Sequence, residues 1–209
     1  MNLESARQSL YTRCPELPSG DLWVFGYGSL MWNPGFEYIE SAPALLRGYH
    51  RAFCVYSTTY RGTPEQPGLV LGLNRGGACR GIGFLVGEAR VRDVLETLWE
   101  REMSRLVYEP KLLPIELDAR RVDALTFVAD PSHESYAGRL ELERVAETIA
   151  SCCGARGPNI EYLANTLRHL EELGIEEKKL REIWLAVERR RVPRAADVAA
   201  ITGSPIPRT

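Results

Sequence analysis

The run Leu22-Trp23-Val24-Phe25-Gly26-Tyr27-Gly28-Ser29-Leu30-Met31 changes character at its midpoint. Its first half is apolar, aromatic-rich and β-favouring, which predicts a buried strand. From Gly26 onward two glycines alternate with Tyr27 and Ser29, and Pro34 forbids an ordinary continuation. Glycine lets the chain turn sharply and lets a ligand approach the backbone N–H groups, which can cradle an anion such as a carboxylate. The same glycines also suit a tight turn that merely reverses a strand, and residue types alone leave both readings open.

Downstream of this run, the segments Phe36–Ile39, Ala44–Gly48, Arg51–Ser57, Leu69–Leu73 and Gly81–Val86 read as short strands separated by turn residues. Their spacing predicts a compact sheet or partly closed barrel. The period changes over Val91–Val107, where Val91, Val94, Leu95, Leu98 and Leu106 share one stripe of a helix. Glu102 falls on that stripe, whereas Glu100 points to solvent. Two further strands, Tyr108–Leu117 and Val122–Val128, precede a polar link over Ala129–Gly138. Helices are then expected over Leu140–Cys153, over Ile160–Leu173 with Asn159 as N-cap, and over Glu176–Arg190. The last two carry packing faces and read as scaffold. Residues 3–12 suit a short appended helix ended by Pro15, Pro18 and Gly20. The organisation expected is an extension over 1–20, one domain over 21–190 and a tail over 191–209.

Composition narrows the function classes. With 209 residues, 44% hydrophobic and 26% charged, the chain can bury one sizeable core. A net charge of −2 gives no electrostatic case for nucleic acid or an anionic membrane. No apolar run approaches the ~18–20 residues that span a bilayer, and the polar N-terminus lacks a signal-peptide core, so a cytosolic protein is expected. Five cysteines without a CxxC pair predict free thiols, and three dispersed histidines predict no metal.

Familiar chemistries fit poorly. A dinucleotide fingerprint would need a third glycine where Met31 stands and a long helix where Asn33-Pro34-Gly35 follows. Ser29 lacks the spacing of a nucleophile elbow and a histidine arranged to activate it, so hydrogen bonding suits it better. Glu102 has two readings. It is either a buried ion-pair partner of Arg47, Arg51, Arg61 or Arg101, or a carboxylate whose apolar surroundings raise its pKa towards the range useful for proton transfer.

The run Val24-Phe25-Gly26-Tyr27-Gly28-Ser29-Leu30-Met31-Trp32 resembles the signature of the ChaC-like γ-glutamylcyclotransferases. The block Arg61-Gly62-Thr63-Pro64-Glu65-Gln66-Pro67-Gly68, the pair Arg101-Glu102 followed by Tyr108, and Asn159 with Glu161-Tyr162-Leu163-Ala164-Asn165-Thr166 extend the likeness over roughly residues 21–190. The resemblance implies an α+β fold, with a small mixed barrel, flanking helices and a helical C-terminal part. It implies cleavage of glutathione to 5-oxoproline and cysteinylglycine without a cofactor. Glu102 matches the family's proton acceptor, and Gly26, Tyr27, Gly28, Ser29, Leu30 and Met31 match its substrate loop. Tyr108 and Arg61 are further candidate substrate contacts, although a core tyrosine and a loop brace explain them equally. The alternatives are a cyclotransferase for other γ-glutamyl amino acids or amines, and a non-catalytic protein regulating cation transport.

Overall fold

The computed structural model describes residues 19–102, 106–118 and 120–191. The expected helix over 3–12 and almost all of the tail therefore lie outside the described residues. Five strands close into a barrel in the order β1-β3-β2-β4-β5: β1 Leu22–Gly26, β2 Glu40–Ser57, β3 Gly68–Val86, β4 Tyr108–Leu117 and β5 Arg120–Ala129. β1 completes the closure, antiparallel to β3 along its whole length and parallel to β5 at Trp23–Ala124 and Val24–Leu125.

All five residues of β1 are buried, and the two-residue period of a strand divides them between two cores. Trp23 and Phe25, with Tyr27 beyond the strand, pack with Leu46, Leu73, Ile115 and Leu117. Leu22 and Val24 pack instead against helix α1, Glu88–Glu102, through Val94, Leu95, Leu98 and Trp99. Burying side chains of this size stabilises by roughly 1.5–3 kcal/mol each, so this one helix face fixes α1 to the barrel wall. Leu106 has a positive φ of 56°, outside helical geometry, so it does not continue the stripe of α1 as the periodicity suggested. The described helix runs over Glu88–Glu102, and Leu106 lies outside it.

The segments Ala44–Gly48 and Arg51–Ser57 belong to one 18-residue strand, and Leu69–Leu73 and Gly81–Val86 to one of 19 residues. Gly48 sits at a register shift between Arg47 and Tyr49, so it marks a bulge within β2 instead of a strand end. Phe36–Ile39, expected as a strand, has no strand pairing and is an irregular approach to β2.

The 58–67 connection carries the Arg61–Gly68 block and folds tightly upon itself. A Cβ at Gly62 would collide with the backbone of Gly68, and one at Gly68 with the carbonyl of Arg61. Only glycine allows this approach. The two-stranded ribbon β6–β7, Cys153–Gly154 and Gly157–Pro158, lies against it through Ala155 N–H to Thr59 O at 2.7 Å and Arg156 N–H to Tyr60 O at 3.0 Å.

The helical part comprises α2 Leu142–Ser151, α3 Asn159–Glu172 and α4 Lys178–Arg191. Val145, Ile149, Leu163, Leu170, Leu180 and Val187 join Phe53, Leu69, Leu71 and Phe84 of the barrel in a third core. Asn159 corrects the capping expectation. Pro158 stands at the N-cap, and the fully buried Asn159 amide instead joins α3 to β3, accepting from Leu69 N–H and donating to Leu69 O, both at 2.7 Å. Cys54, Cys79, Cys152 and Cys153 are free thiols, as expected, and Cys14 lies outside the described residues. No described helix is long and apolar enough to cross a membrane.

Candidate active site

Where β1 leaves the sheet, Gly28 leads into a single 3-10 turn, Ser29–Met31. Such a turn leaves its first amides without an intrahelical acceptor. Met31 N–H to Gly28 O at 2.9 Å closes it, Trp32 N–H at its C-cap bonds to Ser29 O, and Asn33 N–H to Ser29 O follows at 2.9 Å. Tyr27, Gly28, Ser29 and Leu30 border a cavity of about 110 Å³ that is completed by Leu71, Glu102, Tyr108, Phe127 and Tyr162. A neighbouring cavity of about 140 Å³ shares Glu102 and Tyr108 and is bounded on its other side by Tyr56, Ser57, Tyr60 and Ser135. Glu102 thus stands where two lobes meet.

The last turn of α1 delivers two groups here. Arg101 holds the loop, its guanidinium donating to Ser29 Oγ at 2.7 Å, Asn33 O at 2.6 Å and Pro34 O at 3.3 Å. Its Nε lies 3.3 Å from Glu102 Oε1. Of the four arginines considered as partners of Glu102, it is Arg101 that fills the role. Arg47 pairs with Glu116 and Arg51 with Glu177. The Glu102 side chain is only 17% exposed. Burial pushes its carboxyl above the ordinary carboxylate value, and the neighbouring Arg101 opposes part of that rise. A carboxyl whose protonated form is favoured in this way is suited to proton transfer.

Three phenols surround it. Burial lifts Tyr27 and Tyr108 well above the ordinary tyrosine value, with a neighbouring phenol, Tyr108 for Tyr27 and Tyr162 for Tyr108, and then Glu102 adding to the effect. Tyr162 is pushed up to about 12, again chiefly by burial. All three are neutral hydrogen-bonding groups at physiological pH. Tyr108 donates to Leu71 O at 2.8 Å, and Tyr162 accepts from Leu71 N–H at 3.4 Å.

The structure brings Tyr27, Gly28, Ser29, Leu30, Glu102 and Tyr108 to one cavity, and sets the other candidates behind it. Gly26 and Met31 do not border either lobe. A Cβ on Gly26 would press on Leu30, Met31 N and Phe84, and Met31 is buried in the third core. Arg61 is a brace. It donates to Arg156 O at 2.6 Å and Pro158 O at 3.2 Å, and its guanidinium lies 5.5 Å from the centroid of the Tyr162 ring. Tyr162, on the helix read from the sequence as scaffold, reaches the cavity. Its signal in the sequence was the Glu161–Thr166 block and not the helical period. Serine and tyrosine at 56, 57, 60 and 135 carried no pattern that pointed to the second lobe.

A larger cavity of about 400 Å³, between the β2–β3 sheet and helices α2 and α4, contains His50, Arg75, Arg139 and Lys179 but no buried carboxylate. Among the described residues no cluster of histidine, cysteine or acidic groups could hold a metal ion.

Comparisons with known proteins bear on the family and the fold. A family model described as ChaC-like protein matches residues 22–190. A glutathione-specific γ-glutamylcyclotransferase of Escherichia coli K12 is 39% identical over 171 residues, covering 81% of this chain and 74% of the relative. Gamma-glutamylcyclotransferase 2-3 of Arabidopsis thaliana is 32% identical over 173 residues, covering 78% and 86%. A crystal structure of a yeast γ-glutamylcyclotransferase specific to glutathione superposes with a TM-score of 0.75 at 22% identity, over 84% of this chain and 99% of that one, and shows the same fold. On the family match and on these identities, the chain belongs to the ChaC-like family.

Proposed function

We infer that this protein is a γ-glutamylcyclotransferase that cleaves glutathione to 5-oxoproline and cysteinylglycine. The observation that carries the reading is the placement of one largely sequestered carboxylate, Glu102, between a lobe walled by the Tyr27–Leu30 loop and a second lobe walled by Tyr56, Ser57, Tyr60 and Ser135. A substrate divided at one amide bond fits this division. Its γ-glutamyl half lies in the loop lobe, with the α-carboxylate on the amides of Gly28, Ser29 and Leu30, and its departing half lies in the other.

Glu102 accepts a proton from the α-ammonium. The freed amine attacks the γ-carbonyl carbon of the same molecule, forming a C–N bond and placing negative charge on the carbonyl oxygen. Tyr162 receives Leu71 N–H on its oxygen, so its own O–H is available to donate to that charge. Collapse breaks the amide C–N bond: Glu102 gives its proton to the departing nitrogen of cysteinylglycine, takes the second proton from the ring nitrogen that formed the new bond, and passes it to the released amine, so the ring keeps one N–H and Glu102 is again a carboxylate. Ring closure is intramolecular, so holding the γ-glutamyl chain curled supplies much of the acceleration. No covalent bond to the protein is needed, and every proton is accounted for by one carboxyl group.

The test is release of 5-oxoproline and cysteinylglycine from glutathione by the purified protein, compared with Glu102→Gln. The amide is nearly isosteric but accepts no proton at neutral pH, so turnover should fall by about 10²–10⁴-fold with the fold retained by circular dichroism. Near-native turnover in the folded variant removes Glu102 from the mechanism. Release of 5-oxoproline from γ-glutamyl amino acids or amines but not from glutathione would move the assignment to those substrates.

A further inference from the structure

Arg51 is the largest fully buried side chain among the described residues, only 1% exposed, and it touches neither lobe of the site. A guanidinium has five N–H donors and is costly to bury unless they are satisfied. Here they reach three separate parts of the fold. Nε donates to Tyr27 O at 2.5 Å, Nη2 to Arg80 O of β3 at 2.7 Å, and Nη1 to Glu177 Oε2 at 2.7 Å. Nη2 also lies 3.7 Å from Met31 Sδ. Glu177 belongs to the connection between α3 and α4, and its side chain is 21% exposed.

Tyr27 O is the carbonyl of the peptide that joins Tyr27 to Gly28. In a trans peptide the C=O and the following N–H point in opposite directions across one rigid plane. A carbonyl drawn to Arg51 therefore turns Gly28 N–H the other way, away from the buried guanidinium, and Gly28 itself borders the cavity. Met31 Sδ at the far end of the same turn leaves little freedom for the loop to roll. Arg51 grips both ends of the loop from behind while Arg101 holds Ser29 from the side.

We propose that Arg51 is a positioning residue for the reaction, and that its pair with Glu177 forms a strut by which the α3–α4 connection sets the orientation of the substrate-binding loop. This rests on the reading of that loop as the holder of the γ-glutamyl α-carboxylate. A lysine keeps the charge, but its compact ammonium cannot serve acceptors on three diverging sides as a guanidinium does. The strut acts on binding, because the loop holds the substrate while Glu102 moves the protons.

The experiment is steady-state kinetics with glutathione on the full chain, for the native protein, Arg51→Lys and Glu177→Ala, each checked by circular dichroism. Arg51→Lys should raise KM about tenfold or more and Glu177→Ala about three- to tenfold, with kcat within about threefold in both. The double variant should be non-additive, since both residues act through one strut. A merely structural role would lower the thermal midpoint and leave the KM of the folded protein unchanged. Native KM in folded Arg51→Lys overturns the proposal. Where that variant does not fold, native KM in Glu177→Ala overturns it equally. Failure of the functional reading looks different, because the native protein itself then releases no 5-oxoproline from glutathione.

Discussion

Replacing Asn159 by alanine tests how the helical part is fastened to the barrel. The side chain is fully buried and its amide satisfies both polar groups of Leu69, itself fully buried, at 2.7 Å each. Alanine leaves one N–H and one C=O without partners in the core. Each buried unsatisfied group costs about 1–3 kcal/mol, so the pair should cost ~2–6 kcal/mol. Against a total stability of ~5–15 kcal/mol for a domain, that is a large share. For a chain of this size each kcal/mol moves the midpoint by about 2–4 °C, which places the expected fall at roughly 5–20 °C. Urea titration should show a lower midpoint with an unchanged slope, the sign of altered stability and not altered compactness. Asn159→Asp sharpens the test, because it keeps an acceptor for Leu69 N–H but sets a carboxylate against Leu69 O, and it should be at least as damaging. A loss below about 1 kcal/mol in the alanine variant would refute the accounting, since it would mean that the Leu69 groups find other partners at little cost.

Three further outcomes follow from the site. Gly28→Val should raise the KM for glutathione steeply with only a modest fall in thermal midpoint. A Cβ there meets no protein atom within 4 Å, so the new side chain has room within the fold and crowds the bound substrate; native kinetics would show that the loop is only a turn. The acid limb of kcat/KM should lie above the ordinary carboxylate range, because burial raises Glu102 and the proposed reaction needs it deprotonated. By linkage, a carboxyl whose pKa is raised on folding contributes stability that is present below its unfolded pKa and lost as pH rises through the folded one. Glu102→Gln, neutral throughout, should therefore be no less stable than the native protein at neutral pH, as a thermal melt would show, while losing the acid limb.

Much of this was legible in the chain. β1 was readable because apolar strand formers end abruptly at glycine, and β4 because its bounds coincide with a change of period. Glu102 stood out as a carboxylate on an apolar stripe, although the stripe was drawn through Leu106, whose positive φ takes it out of the helix. The long β2 and β3 were not legible, because a bulge glycine at 48 and the Asn74–Gly77 run look like turn chemistry locally, and only the partner strand shows the ladder continuing. Asn159 looked like a cap because asparagine before an apolar period usually is one. Its actual partner, Leu69, is 90 residues away in sequence, beyond the reach of any local rule. Arg51 illustrates the same limit, since nothing around it in the sequence distinguishes a guanidinium bound to three distant segments from one in water.

The closure of the barrel by β1 also bears on the order of events in folding. The hydroxyl of Thr126 bonds to Phe25 O across 101 residues, and the adjoining β1–β5 ladder is parallel. The β2–β3 and β4–β5 hairpins are local by comparison and can form without that loop closing. Pairings so distant are entropically expensive and slow, which places the docking of β1 late. The loop from Tyr27 to Leu30 is the direct continuation of β1, so the proposed substrate site exists only when the last wall of the barrel is in place. A partly folded form that retains both hairpins and the helices would have compactness and secondary structure but no chemistry. In a refolding experiment, regain of activity thus reports closure of the barrel.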